Sequence, residues 1–364
     1  MTRALVVCAT LLASVSSSYA QWTVSYLHPP QAVVSSASGV HSSQEVGQAQ
    51  LGGAYHASLW SGTAASWVDL NPPGAVDSYA SCAFGGWQGG QARFGEQYRA
   101  GVWNGSAGSW LDLHPAVASD SIVRGIHGGQ QVGDAYVAGV RHASYWSGTA
   151  SSWIDLHPAT ADESSASGID AGNQVGWQAQ QAGVHASLWS GSAASCVDLH
   201  PAGATSSVAN AIAGGEQAGW AIVDGVRRAS IWNGSAATWT DLNPLGSDWS
   251  EALGVSAGIQ VGSAHITGEY RAGIWSGTAG SWEDLSLLLV GSWSYTSAAS
   301  VWSDGATLSI AGWGFNNTTG RLEALLWTRP VPAPASAVVL LVLLRRQRRR
   351  MFARPMRSSV VRTR

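Results

Sequence analysis

Apolar residues along this chain come in short runs broken by Gly, Asp, Asn or Ser, and the same order of runs returns down most of its length. In one copy the runs are Ala166 to Ile169, Asn173 to Trp177, His185 to Trp189 and Ser195 to Leu199. Each is of strand length and bounded by turn residues, which predicts four short strands per unit. A tryptophan closes the third run at Trp60, Trp103, Trp146, Trp189, Trp232 and Trp275, with 43 residues at every step. Four short strands in such a period match one propeller blade.

The positions that repeat have structural explanations. Gly47, Gly90, Gly133, Gly176, Gly219 and Gly262 fall inside the second run, where a missing side chain permits a bulge or a close backbone approach. Gly62 and its five copies follow the tryptophan, where a turn between the third and fourth strands calls for positive φ. Pro29, Pro72, Pro115, Pro158, Pro201 and Pro244 keep the same step and are expected to end the fourth strand. Asp69 and its copies at 112, 155, 198, 241 and 284 read as turn or backbone hydrogen-bonding residues, since no second acidic ligand accompanies them at calcium-loop spacing.

The proline series begins before the first tryptophan. Trp22 to Pro29 matches a fourth run with no first, second or third run ahead of it, while Ala298 to Val301, Ile310 to Trp313 and Leu322 to Trp327 supply three runs and stop. The two fragments complete one unit. A closed ring whose last blade takes its outer strand from the N-terminus explains the split, and an open solenoid would leave both ends frayed. The expected fold is therefore all-β, a seven-bladed β-propeller spanning residues 21–328.

Composition agrees: 44 glycines, 20 tryptophans and no lysine in 364 residues suit short strands and tight turns better than long helices. Arg3, the apolar stretch Ala4 to Val15 and Ser18-Tyr19-Ala20 read as an export signal over residues 1–20, cleaved before Gln21. Past it only Cys82 and Cys196 remain, on different units, which gives neither a disulfide framework nor a Cys-x-x-Cys zinc site. Between Gln21 and Ala335 nine arginines stand against all 22 acidic residues, a net charge of about −13. Such a surface repels a phosphate backbone, so nucleic acid is not expected as a partner.

Two stretches of the chain resemble known bacterial sequence families. Arg329-Pro330-Val331-Pro332-Ala333-Pro334, the apolar stretch Ser336 to Leu344 and the arginines from Arg345 to Arg350 resemble a PEP-CTERM sorting tail, with Ala333 where glutamate is usual. The resemblance implies a sorting or anchor segment at 329–350, processed by an exosortase-type membrane enzyme and followed by a basic tail at 351–364. Membrane contact would come only through that segment, whose apolar core is shorter than the ~20 residues a spanning helix needs. Ser164 to Gly176, His185 to Trp189 and Asp198-Leu199 resemble the HAF repeat of bacterial extracellular proteins, with Ser187 where phenylalanine is typical. That likeness implies an exported propeller-like protein at the cell surface or outside the cell.

Trp60, Trp103, Trp146, Trp189, Trp232, Trp275 and Trp327 recur identically and read as packing between blades; Trp67, Trp110, Trp153, Trp239 and Trp282 are placed on the fourth strand. Trp249, Trp293 and Trp302 fall outside the fixed positions and are candidates for a ligand surface. His56, His142 and His185 alternate with Arg99, Arg228 and Arg271 at one position, which suggests a stacked or hydrogen-bonded surface residue. Equivalent histidines on different blades are too far apart to share an ion, so no metal and no cofactor is expected. The axial channel is the expected ligand site, with His41, Phe84, His127, Asp170, Ala213, Ser256 and Trp302 near it. No catalytic set stands out, although His127 and Asp170 on adjacent blades have acid and base potential. The leading expectation is a non-catalytic binding or display module for matrix polysaccharide or a surface protein. The alternatives are an exported glycan-acting enzyme using the axial pocket and a structural coat protein.

Overall fold

The computed structural model describes residues 21–181 and 183–331. The signal-like segment and nearly all of the sorting-like tail lie outside the described residues. Seven four-stranded antiparallel sheets form the blades of a β-propeller. Blade 1 comprises Ser35–His41, Gln44–Leu51, Ala54–Trp60 and Val68–Asp69, from the axis outward. Blades 2 to 6 repeat it with first strands Asp77–Phe84, Ala118–His127, Glu163–Asp170, Ser206–Ala213 and Ser247–Ser256. Blade 7 takes Trp293–Ser303, Thr307–Asn316 and Arg321–Pro330 from the C-terminal end and Thr23–Tyr26 from the N-terminal end. Thr23 pairs with Thr328 and Tyr26 with Leu325, so the split unit closes the ring. The two described ends meet at one edge, where Arg329 lies over the Trp22 ring at 4.5 Å and both reach Glu283 of blade 6.

Every first strand carries a bulge. The pairing skips one residue between Ala37 and Gly39, and the same slip recurs at the equivalent point of the other six blades. The second-strand glycine faces this bulge: a Cβ on Gly47 would lie 2.0 Å from the Ser36 carbonyl oxygen. Glycine is required there by a backbone contact.

The connection from third to fourth strand differs from the tight turn expected. Gly62 has φ of +78°, but a 3₁₀ turn, Ala64–Ser66, then intervenes, with the Ser66 hydroxyl accepting from Ser61 N and donating to the Thr63 carbonyl. The fourth strand is only two residues long in blades 1 to 6. Trp67 and its copies therefore stand at the end of this turn, ahead of the strand rather than on it. The hydroxyl satisfies backbone groups locally, which a longer outer strand would otherwise have to pair.

Each third-strand tryptophan is at most 1% exposed and wedges between its own blade and the one before. Trp60 packs with Ala37 and Val40 of blade 1 and with Ala311, Ala324 and Leu326 of blade 7. Alanines on the facing sheet leave the room that the indole fills. An indole of this size stabilises by up to about 5 kcal/mol through burial. Against that, the Nε1–H of all seven has no hydrogen-bond partner among the described residues, a cost of about 1–3 kcal/mol each where no water intervenes.

A polar staple crosses every blade interface. A hydroxyl near the start of one first strand accepts the N–H of an alanine on the third strand of the preceding blade: Ser78 from Ala57, Ser121 from Ala100, Ser164 from Ala143 and Ser207 from Ala186, each at 2.9 Å. Ser250 and Thr296 continue the series, and Ser35 accepts from Ala324 where the ring closes. The residue before the repeating proline holds the hydroxyl in turn, as Asn71 does for Ser78 and His28 for Ser35. His28 also meets the Ala32 carbonyl through Nε2, which selects the neutral Nε2–H tautomer. Burial holds His28, His114, His157 and His200 below the ordinary imidazole range, with Arg321 adding to the effect at His28.

The repeating aspartates use both oxygens. Asp69 Oδ1 accepts the Asn71 N–H, as a turn residue would, and Oδ2 meets His56 Nδ1 at 2.7 Å. Arg99 pairs with Asp112 and His142 with Asp155 in the same way, so histidine and arginine alternate because either can donate to one carboxylate.

Candidate functional site

The bulges build the axial channel. The skipped residues are Ser38, Ser81, Arg124, Ser167, Asn210, Leu253 and Ala299, and all seven line a cavity of about 180 Å³. Neighbouring first strands nearly touch beside them, since a Cβ on Gly168 would lie 3.2 Å from the Ala211 Cα. The throat is narrow and its chemistry uneven. Arg124 is held by Asp134, itself 1% exposed and bonded to Ser165 of the next blade, while Asn210 Nδ2 donates to the Ala252 carbonyl. Sequence reasoning missed these seven positions. Their available signal was a glycine inside a strand pattern, such as Gly39, Gly125, Gly168 and Gly254, each immediately after a skipped residue.

None of the seven residues expected near the channel is among the cavity's lining residues: His41, Phe84, His127, Asp170, Ala213 and Ser256 are the last residues of their first strands and Trp302 the last but one of its own, each next to a lining residue. Trp302 of blade 7 lies 5.5 Å from His41 of blade 1, His41 lies 4.5 Å from Phe84 of blade 2, and Phe84 lies 4.4 Å from His127 of blade 3. His127 Nε2 is 3.4 Å from Asp170 Oδ1 of blade 4, whose Oδ2 accepts the Gly214 N–H of blade 5. Four rings and a carboxylate thus form one arc. Burial, and secondarily the proximity of His127, hold His41 below the usual imidazole range. Ser256 ends its strand at the equivalent place without touching the arc, and Ala213 packs into the core of blades 5 and 6. Phe84 and Trp302 of the arc also pack, partly buried, against the cores of their interblade interfaces.

No known family model matches the chain, and no curated protein sequence is similar to it. Among solved structures it is similar to TolB from Acinetobacter baumannii, at 11% identity and a TM-score of 0.43, over 63% of this chain and 58% of that one. It is similar to the tricorn protease at 11% identity and a TM-score of 0.44, over 80% and 35%. The acylaminoacyl peptidase of Pyrococcus horikoshii follows at 10% identity and a TM-score of 0.48, over 85% and 54%. The chain therefore spans little more than half the length of these structures, or less.

The remaining candidates lie elsewhere. Trp293 stacks on Tyr26 at 5.7 Å and donates to the Val290 carbonyl, which fixes the segment leading into blade 7. Trp249 lines a crevice between blades 6 and 7, on the opposite face from the mouth arc. Cys82 and Cys196 are free, and burial pushes their thiols up to about 12 and about 11, which leaves them poor nucleophiles. Among the described residues no group of three or more His, Cys, Asp or Glu is placed to hold a metal ion. No helix among them is long and apolar enough to cross a membrane.

Proposed function

We propose that this chain is an exported, non-catalytic binding module of the cell surface or extracellular matrix, with polysaccharide as the ligand of its axial mouth. The observation that carries this reading is the arc Trp302–His41–Phe84–His127, ending on Asp170. Aromatic rings offer stacking surfaces to the C–H faces of sugars, and a carboxylate accepts from their hydroxyls. The signal-like N-terminus and the PEP-CTERM-like tail support export and surface retention, with an exosortase-type enzyme as the processing partner.

Glycan-array binding by the purified protein, repeated with Trp302→Ala, His127→Ala and Asp170→Ala, tests the reading. Binding lost in Trp302→Ala supports it; no glycan retained, or retention indifferent to all three changes, overturns it. A second reading, a glycan-acting enzyme, rests on the His127–Asp170 pair, which could move a proton. Release of reducing ends abolished by either His127→Ala or Asp170→Ala would replace the binding reading with that one.

A further inference from the structure

Between blades 6 and 7 the repeat breaks in a way that opens a crevice. On blades 2 and 3 the residue just before the staple hydroxyl is Asp77 or Asp120, and its carboxylate accepts the N–H of Tyr55 or Tyr98 on the preceding blade. On blades 6 and 7 this place is taken by Trp249 and Tyr295. The pairing slips between Ser294 and Ser297, and Tyr295 is held at φ +50° with 58% of its surface exposed. A bulky residue in the left-handed region costs of order 1–3 kcal/mol, and such strain collects at ligand sites.

The crevice beneath Tyr295 has a volume of about 250 Å³. Tyr295 stacks on Tyr270 at 5.9 Å, Tyr270 meets Trp249 edge-on at 5.2 Å, and Trp313 completes the wall. Glu251 lies among them, with Oε2 bonded to Arg227 at 3.2 Å while Oε1 makes no hydrogen bond among the described residues. Burial raises the Glu251 carboxyl and Arg227 opposes that shift.

We infer that this crevice is a monosaccharide subsite, which binds one neutral pyranose ring independently of the axial mouth. The aromatic wall takes the apolar face of the ring, Glu251 Oε1 accepts from a ring hydroxyl, and the serine hydroxyls of the floor meet the rest. A quaternary ammonium ligand also suits an aromatic cage. Here, however, a cation already stands beside the wall: the Arg227 guanidinium lies 4.0 Å from the Trp220 ring and 5.4 Å from the Trp249 ring and pairs with Glu251, so a second cation would meet a like charge.

The test titrates the purified protein with the methyl glycosides of glucose, galactose, mannose and N-acetylglucosamine, followed by tryptophan fluorescence and calorimetry, with choline as a parallel probe. At least one glycoside should bind saturably. Trp249→Ala and, separately, Tyr295→Ala should each weaken it about tenfold, the equivalent of ~1.4 kcal/mol, with melting temperatures recorded to confirm folding. Trp302→Ala in the axial arc should leave it unchanged, so the two sites fail separately. No glycoside bound at about 100 mM, binding indifferent to both crevice variants, or saturable binding of choline in place of the sugars overturns the inference.

Discussion

Glu45→Gln isolates one buried charge. In blades 2 to 6 the second strand carries Gln88, Gln131, Gln174, Gln217 and Gln260, whose Oε1 accepts the N–H of the glycine after the tryptophan. Their Nε2 donates to the carbonyl two residues upstream, as from Gln88 to Gly86 at 2.7 Å. Blade 1 has Glu45 instead, 2% exposed, with Oε2 accepting the Gly62 N–H. A carboxylate lacks the second donor, whereas a protonated carboxyl reproduces the amide. Burial raises the Glu45 pKa from 4.5 to about 7. Below pH 4.5 both folded and unfolded chains are protonated and the residue is neutral to stability. As pH rises the unfolded chain ionises first, so stability falls until the folded pKa is passed, by about 3 kcal/mol in all. Glu45→Gln should therefore change nothing at pH 4 and stabilise by about 2–3 kcal/mol at pH 8, raising the melting temperature by about 5 °C. Urea denaturation of both proteins at pH 4, 6 and 8, followed by tryptophan fluorescence, reads the difference, in which every other titrating group cancels. A gain that is the same at all three pH values, or a loss at pH 8, would refute the reasoning.

The staple histidines act with the opposite sign. Because burial lowers His28, His114, His157 and His200, the stability they contribute is present above the ordinary imidazole pKa and lost as pH falls through their depressed values. Melting temperature should drop from pH 7 to pH 5, and replacing His114, His157 and His200 by the asparagine found at Asn71 and Asn243 should reduce that drop. Ser164→Ala leaves the Ala143 N–H unpaired and should cost about 1–3 kcal/mol, while Ser164→Thr should cost less, since Thr296 serves the same role in blade 7; chemical denaturation compares the two. In blades 1, 3 and 5 the turn tryptophan donates to a third-strand serine, as Trp67 does to Ser58, whereas in blade 2 Gly101 replaces the serine and Trp110 tips to 4.6 Å from Trp103. A Cβ on Gly101 would lie 2.3 Å from that ring, so Gly101→Ser should shift Trp110 and alter the near-ultraviolet dichroism. An unchanged spectrum would contradict the pairing.

The 43-residue step, the glycines at fixed phase and the fourth run stranded at Trp22 to Pro29 were enough to read seven blades and their closure, because a repeat imposes one local solution at every copy and a split unit has one way to be completed. The order of the strands also placed His41, Phe84, His127, Asp170 and Trp302 at one end of the first strands. What only the tertiary structure decided is which residues turn inward and which meet across blades. A bulge shifts the alternation by one residue, so Ser38 and its six counterparts face the channel although an unbroken strand would turn them elsewhere. The interblade staples, the burial of Glu45 and the crevice under Tyr295 join residues from different blades, or depend on the packing around them. Local pattern records the period of each strand, and contact between sheets is set by how the ring closes.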